Sequence, residues 1–296
     1  MTGRPTGSRA ACPISASRPT SRRVTASTEH PLGPEHIAAC FALSKSANWN
    51  QNEADWRLML ELGRGWGLSL ADGTLIATTL ALPYGSFAWI SMVLVHSAHR
   101  RLGHASRLLR VAIGDLRARG LTPILDATPA GREVYRQAGF RDTWTFKRFL
   151  KSGIDHVLRS LADHGKTRFV PDFALDREAF GADRSRLLRA LQQRLPQAAR
   201  AQPNGFVLGR DGREALQIGP LVARDEETAM ELLRSALAAV PAPLYVDVVD
   251  HAPKLQQWLQ THGFAFQRPF TRMVHGGERA PGNEKLVYLV AGPELG

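Results

Sequence analysis

The segment Val93-Leu-Val-His-Ser-Ala-His-Arg-Arg-Leu-Gly-His-Ala-Ser-Arg-Leu-Leu109 carries the clearest chemistry in the chain. An apolar run enters a short basic stretch, and the stretch enters a helix start. The first turn of a helix offers unpaired N–H groups and the positive end of the helix dipole. Gly103 removes the side chain that would hold a phosphate oxygen away from the backbone. With Arg100, Arg101 and Arg107 nearby, the segment reads as an anion site. Cations beside a helix N-terminus oppose its dipole, and a bound anion offsets that cost. The plainer alternative is a solvated basic first turn. His96, His99 and His104 cluster in sequence, but the cationic surroundings oppose a divalent ion, so no metal is expected; His96 is placed instead at the substrate end.

Those residues need a scaffold. Helical spacing runs from Pro34 to Gly63, and Asp72-Gly73 between alternating apolar residues predicts a hairpin. Tyr84-Gly85-Ser86 is a further turn, and Ala88 to Val95 is a buried strand. From His104 the positions Ala105, Leu108, Leu109, Ala112, Ile113 and Leu116 mark a helix face that stops at Gly120. Pro123 to Ala127 is a strand, Gly131 to Ala138 a helix, and Phe140 to about Leu150 is extended. The fold class is therefore α/β, of the α+β kind with a mixed sheet.

A similar order recurs. Leu232-Leu233 and Gly263-Phe264 follow Leu108-Leu109 and Gly139-Phe140 at one common offset of 124 residues, and Asp247 sits on a strand as Asp126 does. The second copy has Asp225-Glu-Glu-Thr-Ala where the first has Arg101-Leu-Gly-His-Ala, so Glu227 replaces Gly103. Carboxylates suit a helix start but repel a pyrophosphate.

Arg100-x-x-Gly103-x-Ala105 resembles the Gln/Arg-x-x-Gly-x-Gly/Ala signature of GNAT-type N-acetyltransferases. Leu125 to Phe140, with its Tyr-x-x-x-Gly-Phe ending, resembles their second conserved block. The resemblance covers about residues 32–150; the remainder resembles the second half of tandem-GNAT bacterial proteins, with Ile218 to Ala223 and Thr271-Arg272-Met273 as its marks. It implies two tandem GNAT-like acyl-CoA N-acyltransferase domains: a disordered basic tail over 1–30, an acyl-CoA-binding domain over 31–150, and a second domain over 151–296 lacking the phosphate-binding loop. The main chain of Val93, Leu94 and Val95 would pair with the pantetheine arm. Arg100, Arg101, Leu102, Gly103, His104, Ala105 and Ser106 would hold the pyrophosphate. Thr128 stands where the family places a hydrogen-bonding Asn. Tyr135 would protonate the leaving thiolate, Asp126 would take the amine proton directly or through water, and a main-chain N–H near Val95 would meet the oxyanion. The implied activity is transfer of an acetyl or other acyl group from CoA to an amine by direct attack in a ternary complex. A non-catalytic acyl-CoA sensor is the alternative, against which the retained Tyr135 argues.

Bulk properties narrow the partners. The chain has 296 residues and a net charge of +11. Arg4, Arg9, Arg18, Arg22 and Arg23 place five of those charges in the first 28 residues, which carry no acidic residue and are rich in Ser, Thr, Pro and Gly. No apolar run reaches the roughly 20 residues a membrane helix needs. Two cysteines, Cys12 in the low-complexity tail and Cys40 far from it, make no disulfide framework, so a cytoplasmic protein is expected. Basic charge alone suggests nucleic acid, but neither aromatic–basic interleaving nor zinc spacing supports it. The expected acceptor is a small-molecule or protein amine, chosen by the loops around Trp49 to Trp56, by Tyr84 and by the second domain.

Overall fold

The structure, a computed structural model, describes residues 26–153 and 171–296. The basic tail up to residue 25 and the stretch 154–170 lie outside the described residues.

The first half runs β1 (Ser27–Leu32), α1 (Ile37–Ser46), α2 (Glu53–Leu62), β2 (Arg64–Leu70), β3 (Leu75–Tyr84), β4 (Phe87–Val95), α3 (His104–Ala118), β5 (Thr122–Ala127), α4 (Pro129–Gln137) and β6 (Phe140–Lys151). The second runs α5 (Phe173–Phe180), α6 (Ser185–Arg194), β7 (Arg200–Gln202), β8 (Gly205–Arg210), β9 (Leu216–Ala223), α7 (Glu226–Ala238), β10 (Leu244–Val249), α8 (Pro253–Thr261), β11 (Ala265–His275) and β12 (Val287–Leu289). The mixed α/β class holds. One boundary moves: Ser27 to His30, assigned to the tail by their polarity, pair with β2 as an edge strand that ends on the buried Leu32.

Local chemistry explains the elements. Asn52 caps α2 by accepting from Asp55 N while Asp55 accepts from Asn52 N, both at 3.0 Å. The apolar face of α3 (Leu108, Leu109, Ala112, Ile113 and Leu116) is buried against β3 and β4. Each of its leucines contributes about 1.5–3 kcal/mol by leaving water.

The twelve described strands form one sheet in the order β1-β2-β3-β4-β5-β11-β6-β10-β12-β9-β8-β7. The halves join in the chain near Lys151 but interlock in the sheet. β11, from the second half, lies between β5 and β6; β6, from the first, lies beside β10. The exchange places one Asp–Arg pair on each side of the junction. Arg272 on β11 faces Asp126 on β5 with contacts of 2.9 and 3.0 Å. Arg148 on β6 faces Asp247 on β10 with two contacts of 2.7 Å. Aromatic rings cover both guanidiniums: Trp89 and Trp144 at 4.3 and 4.0 Å from Arg272, Tyr245 and Phe270 at 4.9 and 5.3 Å from Arg148. Two desolvated charges held in this way specify which strand pairs with which, since either Arg without its Asp would be a buried unpaired charge.

Candidate acyl-CoA and acceptor site

β4 and β5 pair in parallel only at Phe87–Thr122, Ala88–Pro123 and Trp89–Ile124. Beyond Trp89 they diverge. A bulge drives the divergence: β4 slips register against β3 between Ser91 and Leu94, and Met92 takes the left-handed φ of 52°. The freed end of β4 then borders an open cleft of about 460 Å³. Val93, Leu94, Val95, Arg100, Arg101, Gly103, His104, Ala105 and Ser106 all line it, with Ala47, Trp49, His99 and Val134. Leu102 does not line it.

The turn at the mouth of the cleft has the shape an anion needs. Arg101 and Gly103 both take positive φ, 63° and 81°. A Cβ built on Gly103 would meet nothing within 4 Å, so the space above the α3 N-terminus is open. Arg100 braces the loop by donating from Nε to Val95 O at 3.2 Å. Arg107 faces elsewhere: it contacts Glu29 at 3.4 Å and belongs to the edge strand, not to the anion turn. His104 is buried; that burial, then His99 and Arg107, push its imidazole below the usual range, so it adds little positive charge.

Tyr135 does not line this cleft, although its neighbour Val134 does. Tyr135 packs edge-on against Phe140 at 6.1 Å, and burial pushes its phenol up to about 12. Gly131 makes room for that ring: a Cβ there would lie 2.9 Å from Tyr135 Cε2. Thr128 caps α4, its Oγ1 accepting from Gly131 N at 3.3 Å, so the hydroxyl expected to contact the cofactor is already engaged with the helix. Asp126 and Thr128 do not reach the open cleft. They line a second, smaller cavity of about 60 Å³ with Trp49, Asn50, Gln51, Arg148, Arg268, Phe270, Pro293 and Glu294. Trp49 borders both spaces. Burial raises the Asp126 carboxyl, against the pull of Arg272 and with help from Asp247 and Glu294.

Of the loop residues expected to choose the acceptor, Trp49 is at the site. Trp56 is fully buried and bonds Ser44 Oγ at 2.8 Å. Tyr84 is also buried, with its hydroxyl donating to Leu295 O at 3.1 Å. Arg148, Arg268, Phe270 and Glu294 had no recognisable motif; only the strand exchange and the path of residues 290–296 bring them to the cavity. The second half also fixes the loop above it. Asn50 donates to Ala215 O at 2.9 Å and accepts from Glu214 N and Ala215 N, while Arg213 N donates to Asn50 O at 2.7 Å. Among the described residues there is no group of His, Cys, Asp or Glu that could hold a metal ion. Cys40, raised by burial to about 12, belongs to the core rather than to a site. No helix among the described residues is long and apolar enough to cross a membrane.

The equivalent place in the second half is closed. β9 and β10 also pair in parallel at only three positions, but β12 enters the wedge, with Val287 and Leu289 paired to β9 and Leu289 to Val248. The acids at the start of α7 are occupied: Asp225 caps Thr228 N at 2.7 Å, Glu226 accepts from Leu255 N at 3.0 Å, and Glu227 pairs with Lys254 at 2.9 Å.

Comparison with known proteins agrees with this duplicated design. Residues 35–140 match the family model described as acetyltransferase (GNAT) family, and residues 173–289 match one described as acetyltransferase (GNAT) domain. The chain is 27% identical over 245 residues to the uncharacterized N-acetyltransferase YitH of Bacillus subtilis, covering 79% of this chain and 86% of that one. A putative acetyltransferase from Pyrococcus horikoshii shares the fold with a TM-score of 0.74 at 20% identity, covering 95% of this chain and all of that one (100%). A GCN5-related N-acetyltransferase from Sphaerobacter thermophilus superposes with a TM-score of 0.58 at 15% identity, covering 87% and 97%.

Proposed function

Because the chain belongs to the GNAT acetyltransferases, with one GNAT unit in each half, we propose that it transfers an acetyl group from acetyl-CoA to an amine by direct attack in a ternary complex, using only the cleft of the first half. The observation that carries this reading is the β4–β5 wedge leading to the Gly103 turn: main-chain groups stand along one wall, and a helix N-terminus flanked by two arginines stands at the mouth.

The main chain of Val93 to Val95 pairs with the pantetheine arm, and the N–H groups from Arg101 to Ser106 meet the pyrophosphate. Trp49 separates the thioester end from the smaller cavity, which receives the acceptor. Asp126 borders that cavity and takes the amine proton, directly or through water. A main-chain N–H near Val95 meets the oxyanion of the tetrahedral intermediate. Tyr135 gives its proton to the departing thiolate. The second half serves as a frame: it carries Arg272 to Asp126 and anchors the loop at Asn50.

A thiol-release assay with acetyl-CoA over a panel of amine classes tests the proposal. Steady release with at least one class is expected. Acetyl-CoA binding without release from any class would favour an acyl-CoA sensor.

A further inference from the structure

The smaller cavity has its own pattern of unsatisfied groups. Gln51 Oε1 and Glu294 Oε2 are buried acceptors without a donor, in side chains 4% and 3% exposed. Arg268 Nε is a buried donor without an acceptor. Buried polar atoms left unpaired cost about 1–3 kcal/mol each, so three around one small space are a specification for what fills it.

The charges agree with the atoms. Glu294 lies at the buried end of a chain of ion pairs that starts at the partly exposed Asp211: Asp211 with Arg194, Arg194 with Asp55, Asp55 with Arg210, and Arg210 with Glu294. That chain holds three carboxylates and two guanidiniums, leaving one negative charge in excess. On the other side, Arg148 is neutralised by Asp247, whereas Arg268 lies against Phe270 at 5.5 Å with its Nε unpaired. Burial and the nearby Arg148 lower the Arg268 pKa, as expected where a guanidinium lacks a counter-ion.

We propose that the acceptor is a small zwitterionic amine of amino-acid size, whose carboxylate is bound by Arg268 and whose amino group is received by Glu294 and Gln51. The proposal rests on the acetyltransferase reading above and names its acceptor class. The volume suits it: about 60 Å³ holds on the order of four to six water-sized positions, enough for a few polar heavy atoms and too little for a folded peptide segment. Glu294 accepts hydrogen bonds from the incoming ammonium, which loses one proton to Asp126, directly or through water, before attack. Phe270, stacked on Phe146 at 5.0 Å, gives an apolar floor that holds the side chain of Arg268 in place.

The test pairs glycine, alanine, serine and β-alanine with their carboxamides, which keep the amine and lose the carboxylate. Two readouts are taken on the full chain: thiol release with saturating acetyl-CoA, and calorimetric binding of each compound to protein saturated with CoA. At least one amino acid is expected to bind and react better than its amide, by about 10- to 100-fold for a lost charge-assisted hydrogen bond. Arg268→Gln should remove that difference by raising KM for the acid alone. Glu294→Gln should weaken acid and amide alike. Acetyl-CoA binding should be unchanged in both variants. Amides binding as well as their acids, or Arg268→Gln weakening both equally, would overturn the proposal. Because binding is read directly, a protein that binds the acids selectively but releases no thiol would defeat the catalytic reading while leaving a small amino acid as the ligand of this cavity.

Discussion

Gly103→Glu should abolish measurable acetyl-CoA binding while the protein stays folded. The residue begins α3 at a φ of 81°, where any side chain costs roughly 1–2 kcal/mol. That cost is small against the 5–15 kcal/mol that holds an ordinary domain together, and the added Cβ touches nothing. The effect on the ligand is far larger. A carboxylate would enter the space above the helix start and repel the pyrophosphate that the turn is shaped to hold. The second half already carries this arrangement, with Glu227 at the matching position. Gly103→Ala separates the two contributions, since it has the same backbone strain and no charge: it should lose roughly 1–2 kcal/mol of stability and keep binding. Calorimetry reads the affinities and thermal unfolding reads the stability. Wild-type affinity in Gly103→Glu would show that the phosphates sit elsewhere.

Tyr135→Phe should leave acetyl-CoA affinity near wild type and slow turnover by about 10²- to 10⁴-fold, the usual contribution of a general acid. The ring is held by Phe140 and by the open side of Gly131, so Phe fills the same space without its hydroxyl. The pH dependence gives an independent check. Burial raises the phenol to about 12, so it remains protonated across the working range and contributes no alkaline loss of activity below that pH. The wild type and the Phe variant should therefore show the same profile shape with different heights. A shifted profile, or unchanged turnover, would assign the proton to another group.

Much of this was legible in the residues, and what was not has a physical reason. The turn from Arg100 to Ser106 and the helix face of α3 are local features, set by residues within a few positions of one another, and the structure brings nearly all of that turn to one cleft. The repeat was visible as a common offset, and the order of its elements linked Asp126 with Asp247 on equivalent strands. What no local pattern encodes is the exchange of strands. The partners of those two aspartates, Arg272 and Arg148, come from the opposite halves, 146 and 99 residues away. Asp126 therefore stands in the same kind of crossing ion pair as its counterpart, and differs from it by facing a cavity beside the cleft. Thr128 was expected at the cofactor because of its position before α4; that position is also the N-cap, where a hydroxyl bonds the helix. The closure of the second wedge was half visible. Three acids at Asp225 to Glu227 excluded a pyrophosphate, but β12 entering the gap depends on a contact made far along the chain.

The central claim is that two GNAT units make one working cofactor site. Calorimetric titration of the wild-type chain with acetyl-CoA tests it most directly. The account predicts binding at one site per chain, lost on Gly103→Glu. Two sites per chain, or no binding at all, would contradict it.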